Sequence, residues 1–198
     1  MSYNTDYTAP LIPSLHIKYD YRKFKLRSSF AKGFRAPSLK DLYFEFVDIN
    51  HNIVGNPNLK SETSNNYQLS LDWKNIRNDC IVKSDLSFFY NDISDLITLA
   101  NTSYDAYSYI NIGKYKTLGA KTNLNLTYEV IKFNSGVSYI GRQNNIDEVD
   151  PFSYAWEWLS NCTYEMKKWN SKIAIYYKNT GALPSFWMNS EGEVQESI

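Results

Sequence analysis

Two histidines, two cysteines and one arginine among carboxylates are the residues whose types could do chemistry in this chain of 198 residues. His51 lies between Phe34-Arg35-Ala36-Pro37 and Gly55-Asn56-Pro57-Asn58-Leu59, in a stretch without periodicity. By itself, a lone histidine on a loop reads as a solvated side chain. Arg35 can pair with Asp41 or Glu62 and hold the loop at a strand end, with a small energy if the pair is exposed. His16 has no partner of the nucleophile–base kind and no Gly-x-Ser-x-Gly segment is present, so no catalytic residue is assigned and the chain does not read as an enzyme. Cys80 and Cys162 lack Cys-x-x-Cys spacing and neighbouring histidines. They read as two buried small apolar residues rather than a metal or redox site, with a disulfide between them left open.

The elements that must carry these residues are strands. In Leu15 to Tyr21 the apolar residues Leu15, Ile17, Tyr19 and Tyr21 alternate with His16, Lys18 and Asp20, a period of two. Tyr67, Leu69, Leu71 and Trp73 repeat it, as do Val82, Ser84, Leu86, Phe88 and Tyr90. Leu118 to Val130 puts Leu124, Leu126 and Tyr128 on one face and Lys121, Asn123, Asn125 and Glu129 on the other; Phe152 to Met166 puts Tyr154, Trp156, Trp158 and Cys162 opposite Ser153, Glu157 and Asn161. Strands of soluble proteins average ~5–6 residues, whereas a tilted strand crossing a bilayer needs about 9–11, and these runs belong with the second kind.

Connections are tight near Tyr21-Arg22-Lys23, Asn75 to Asp79, Val130 to Lys132 and Lys167 to Ser171, and long from Gly33 to Ser61, around Asn101 to Ala106 and from Arg142 to Pro151. Short turns at one rim and long loops at the other are the rhythm of an up-and-down barrel. The expected fold is all-β: an antiparallel transmembrane β-barrel, partial, with about eight strands and no helix. Lys18, Asp20, Asp72, Lys83, Asp85, Lys121 and Glu129 would line its lumen. Trp73, Tyr90, Tyr128, Trp156 and Trp169 would form aromatic girdles at the two membrane surfaces or, failing that, platforms for a ligand. Residues 1–198 read as one domain, with 1–12 and 189–198 as loop or tail.

Composition agrees. Lys+Arg and Asp+Glu are both 21, so no net field draws the chain to nucleic acid, and nucleic-acid partners are not expected. Aromatics make up 16%, with 17 tyrosines, a residue suited to surfaces apolar at one end and wet at the other. No apolar run approaches the ~18 residues of a membrane helix. The competing architecture is a soluble β-sandwich that binds carbohydrate on its aromatics; period-two alternation alone does not say which face is dry.

The two loop boxes, in this order and spacing, resemble the barrel of TonB-dependent outer-membrane receptors. The segments Phe89-Tyr90-Asn91-Asp92-Ile93-Ser94-Asp95-Leu96-Ile97, Tyr109-Ile110-Asn111-Ile112-Gly113 and Thr117-Leu118-Gly119-Ala120 look like its next elements. The match covers roughly Pro13 to Gly141 strongly and the remainder weakly. The resemblance implies uptake of a scarce nutrient across the bacterial outer membrane, energised through TonB, by a barrel of about 22 strands around an N-terminal plug. Its motif residues carry over as Phe34, Arg35, Ala36, Pro37, Asn56, Pro57, Asn58, Leu59 and Glu62. The ligand it implies is haem, a ferric siderophore or cobalamin, with no resident cofactor or metal. Haem receptors of the family carry a histidine between the two boxes, which points to His51. Implied partners are outer-membrane lipid, the plug, the TonB complex and the small-molecule ligand. The chain departs from the family pattern in showing no plug, no signal peptide, few strands and no C-terminal aromatic residue, so the expectation is a piece of a receptor, or an incomplete gene product, without transport activity alone.

Overall fold

The computed structural model describes residues 7–48, 52–103, 106–144, 152–181, 185–188 and 194–197. Eight strands run side by side in sequence order, each antiparallel to the next: β1 (Ser14–Tyr21), β2 (Phe24–Arg35), then β5 (Glu62–Arg77), β6 (Cys80–Ser103), β7 (Ala106–Tyr128), β8 (Ile131–Asn144), β9 (Ser153–Met166) and β10 (Ser171–Thr180). Between β2 and β5 the chain makes one helical turn, α1 (Leu39–Tyr43), and a hairpin of β3 (Glu45–Val47) and β4 (Asn52–Val54). A second small hairpin joins β11 (Ser185–Met188) to β12 (Val194–Ser197). The expected eight-strand meander is present. The β3–β4 hairpin stands in a connection read from the sequence as a long loop, and two helical features also differ from that reading: α1, and a 3-10 turn at Lys167–Trp169 inside a connection expected only to be tight. Both are single turns, too short for a helical periodicity to register.

Register carries the sequence alternation across the whole sheet. Tyr19, Leu26, Leu71, Leu86 and Thr122 stand in one cross-strand row, with Ile17, Ser28, Leu69, Phe88 and Ala120 in the next on the same face. This face stays bare: Tyr19, Leu69, Phe88, Trp156 and Ile175 are all exposed. No second layer covers it among the described residues, so it is not the dry interior of a sandwich. An apolar face without a protein partner is what lipid requires. The opposite face carries Lys18, Arg27, Asp72, Asp85 and Lys121, with ion pairs Lys18–Asp20 and Arg27–Asp72 at 2.8 Å. A recess of about 590 Å³ on this side is lined by Asp85, Lys121, Asn125, Asn134 and Asn161, among others.

The band is edged by aromatics. Phe30, Tyr67 and Tyr90 form a ring row with centroids 5.0 and 6.2 Å apart, and Tyr139 packs on Tyr154 and Trp156 at 5.0 and 4.5 Å. At the other edge Phe24 faces Trp73, and Tyr128 and Trp169 lie beside the turns. The four tight turns each contain a non-glycine residue of positive φ, namely Arg22, Asn78, Glu129 and Asn170. In the first three this twist lets a two-residue connection match the strands it joins, while Asn170 closes the four-residue turn between β9 and β10. Glu129 is therefore a turn residue rather than part of the lumen lining, and β7 stops two residues short of Val130. Cys80 and Cys162 are free; they sit on the apolar face, half-buried and exposed respectively, in place of the buried positions expected. An apolar thiol facing lipid reads in sequence like one facing a core.

β6 and β7 are 24 and 23 residues long, more than twice what the bilayer needs at ~9–11 residues. They rise past the rim opposite the tight turns, which is the extracellular side by the rule that periplasmic turns are short. There β4 joins the free edge of β7 in parallel, Ile53 opposite Tyr107, and β11 meets β6 at Trp187 and Asn101. The result is a small sheet standing above the membrane band in the order β3, β4, β7, β6, β11, β12. β12 falls within the stretch expected to be tail.

Candidate functional site

The two loop boxes meet at the extracellular rim. Arg35 ends β2 opposite Glu62, which begins β5, and by alternation both point to the polar, inner side of the sheet, like Ser29 and Gln68 below them. The Arg35 guanidinium bridges two carboxylates, 2.8 Å to Asp41 and 3.4 Å to Glu62. Both pairings weighed from sequence are made at once. Pro37 is buried and ends the strand. Ser38 then caps α1: its hydroxyl accepts from the Asp41 N–H at 3.1 Å, while the Asp41 carboxylate accepts from the Ser38 N–H at 2.9 Å. Asp41, 4% exposed, is thus held by a backbone amide and by Arg35. A buried carboxylate needs such partners.

The second box closes back on the first. The Gly55 N–H donates to the Phe44 carbonyl and the Asn56 N–H to the Asp41 carbonyl. A Cβ at Gly55 would stand 2.6 Å from the backbone of Leu42 and Tyr43, so only glycine fits this crossing. Asn56 uses both ends of its amide: Oδ1 accepts from the Asn58 N–H at 2.9 Å, spanning Pro57, and Nδ2 donates to the Tyr109 carbonyl of β7 at 3.0 Å. Leu59 is buried with Leu42 and Ile97, with Tyr7 and Tyr109 packed alongside. The Tyr7 hydroxyl donates to the Leu59 carbonyl at 2.6 Å. Glu62 also accepts from the Ile97 N–H at 3.2 Å.

Together these contacts turn the described residues 36–48 and 52–61 into a panel lying across β6 and β7 on the inner side of the sheet, with the β3–β4 hairpin at its far end. Of the residues singled out from sequence, Arg35, Asn56 and Glu62 carry its hydrogen bonds, Leu59 its apolar contact and Pro37 its first bend. Phe34 and Ala36 are half-buried where the strand gives way to it, and Pro57 and Asn58 form its outer turn. His51 lies outside the described residues. Sequence reasoning placed Ile97, Tyr109 and Asn111 only in segments resembling later elements of the barrel and gave neither them nor Leu42 a part in the other half of the contact. Ser38-x-x-Asp41 matches a capping pattern and could have revealed α1; nothing local marks Ile97 or Asn111 as the surface it docks on.

A single antiparallel sheet, apolar and bare on one face, charged on the other, edged by aromatics and topped by an inward-folded panel, defines the wall of an outer-membrane β-barrel receptor. The chain belongs to the TonB-dependent receptor family: the family model described as TonB dependent receptor-like, beta-barrel matches residues 2–192. It is 31% identical over 129 residues to the iron-regulated outer membrane virulence protein of Vibrio cholerae, covering 58% of this chain and 19% of that protein. It is 24% identical over 163 residues to the probable hemoglobin and hemoglobin-haptoglobin-binding protein 4 of Haemophilus influenzae, covering 71% of this chain and 16% of that one. The siderophore receptor PirA of Pseudomonas aeruginosa shares the fold, with a TM-score of 0.57 at 19% identity over 89% of this chain and 32% of the receptor. So does the Serratia marcescens hemophore receptor HasR, solved with its hemophore HasA and heme, with a TM-score of 0.60 at 10% identity over 86% of this chain and 32% of that chain. The chain therefore spans under a fifth of the length of these curated relatives and about a third of the solved receptors. Its place is the bacterial outer membrane.

Proposed function

We propose that this chain forms part of the wall and the extracellular rim of a receptor that takes up an iron complex, haem or a ferric siderophore, across the outer membrane with energy delivered through TonB. The observation that carries the reading is the panel: the loop bearing the family boxes is folded over the inner side of the sheet, where a ligand entering the barrel must pass. Loops held on a rigid scaffold are where binding residues concentrate. The names of the relatives, an iron-regulated protein and a haemoglobin-binding protein, favour iron complexes over cobalamin. In this reading the plug occupies the polar inner side and lipid covers the apolar face.

Within that class, haem is the sharper proposal, with His51 as an axial ligand from the loop between β3 and β4. Imidazole nitrogen is a regular haem ligand, and the chain's other histidine, His16, is on a membrane strand. The test is titration of the whole receptor with haemin, ferric tris-catecholate and cyanocobalamin, followed in the Soret band for haemin. Saturable haemin binding that falls at least tenfold in His51→Ala supports ligation. Binding of ferric tris-catecholate alone replaces haem by a siderophore, and binding of cyanocobalamin alone overturns the iron reading.

A further inference from the structure

We infer that Asn111 is a positioning residue that hangs the panel, residues 36–48 and 52–61, on β7 and so sets where the β3–β4 hairpin stands at the edge of β7 above the rim; its effect on ligand capture rests on the receptor function proposed above. The side-chain amide of Asn111 behaves as a spare peptide group. Its Oδ1 accepts from the Lys60 N–H at 2.8 Å, and its Nδ2 donates to the Lys60 carbonyl at 3.1 Å and to the Asp95 carbonyl at 2.8 Å. Both donor hydrogens and the acceptor are therefore in use. Asp95 is in the left-handed region at φ 56°, in the middle of β6, an uncommon conformation for a residue with a side chain. Asn111 thus ties together the entry to β5, the bend in β6 and its own strand.

Its neighbours show why one residue can hold so much. Ile110 and Ile112 are buried in a cluster with Ala100, while Asn111 stands between them in sequence, opposite Ile97, on the side where the panel lies. An apolar residue at this position would pack on the panel equally well but would leave the Lys60 N–H and two carbonyls without these bonds. Among the described residues, further tethers to β7 are the parallel pairing of β4, the Asn56 amide on the Tyr109 carbonyl and the Ser108 hydroxyl, which donates to the Val54 carbonyl at 2.8 Å. Among these tethers to β7, the Asn111 contact is the one that grips the chain at Lys60, just before it enters the membrane sheet, beside the buried Leu59, and so it acts where the panel leaves the wall.

The experiment compares the whole receptor with Asn111→Ala and Asn111→Asp by hydrogen exchange in detergent micelles, together with binding of haemin and ferric tris-catecholate. The carboxylate of Asn111→Asp keeps the acceptor but turns both donor contacts into repulsions. Expected is exchange at least tenfold faster over 52–61 in both variants, unchanged exchange in β8 and β9, and at least tenfold weaker binding of whichever probe the unsubstituted receptor takes. A disulfide between Ile53→Cys and Tyr107→Cys, neighbours in the parallel pair, should restore protection and binding in the Asn111→Ala background and lose both on reduction. Unchanged exchange overturns the clamp. Faster exchange with undiminished binding overturns its role in capture. If the unsubstituted receptor binds neither probe, the iron-complex reading fails while the exchange result still decides the clamp, and a variant that loses protection in β8 and β9 as well shows a general structural role and overturns the positioning claim.

Discussion

Arg35 illustrates what the family motif does at the level of single groups. Its planar fork reaches two carboxylates from one position, Asp41 in the panel and Glu62 in the wall, which a lysine ammonium cannot do with the same geometry. Because the guanidinium is about half exposed, each contact is weakened by solvent, and the loss expected for Arg35→Ala is about 1–2 kcal/mol of panel stability. Exchange of the Ile97 amide, whose partner is Glu62, should speed up roughly 5–30-fold, with Arg35→Lys recovering less than half of the lost protection. Unaltered exchange in Arg35→Ala would show that Asp41 and its capping bonds suffice. The motif was legible in the sequence as a strand exit with a candidate ion pair. That Asp41 is buried and shared between a cap and an ion pair was not, because the chain that closes on this turn, with the Asn56 N–H on the Asp41 carbonyl, comes from about fifteen residues on.

At the scale of elements, alternation decides which substitutions the barrel tolerates. Leu124 and Asn123 are neighbours in β7 and point to opposite sides: Leu124 is exposed on the apolar face, while Asn123 donates to the Asp85 carboxylate at 2.8 Å on the polar one. Lysine at Leu124 places a charge in lipid near the middle of the band and should cost about 2–4 kcal/mol. Lysine at Asn123 stands beside Asp85 in a wet lumen and should change stability by less than ~0.5 kcal/mol. Urea unfolding of the receptor in vesicles measures both, and equal costs would contradict the assignment of faces. The tight turns show how far such reading goes. The sequence located all four, yet the β7–β8 turn begins at Glu129 rather than Val130, since one residue of positive φ ends the strand earlier than polarity alone indicates.

For the whole molecule, the eight-strand sheet has two open edges among the described residues, β1 and β10, and a face of exposed Ile17, Leu69, Phe88, Trp156 and Ile175. Unpaired strand edges invite aggregation in water and are not satisfied by lipid until further strands pair with them, and bare apolar side chains are unfavourable in water until a bilayer covers them. The 198-residue chain refolded by itself should accordingly aggregate in buffer and stay dispersed only in detergent, which size-exclusion chromatography would show. A monodisperse monomer without detergent would instead favour a soluble sandwich and refute the barrel. What the sequence by itself determined is everything that repeats along a strand: eight spanning strands, their two faces, the girdles and the turns, because a period of two and a change of polarity are local signals. Only the tertiary structure decided that β6 and β7 tower above the membrane, that residues 36–48 and 52–61 lie folded against them on the inner side, and that Asn111 and Ile97 receive the two boxes. Those contacts join groups that are mostly 35 to 53 residues apart, and they depend on single hydrogen bonds and one buried leucine pair rather than on any pattern that recurs along the chain.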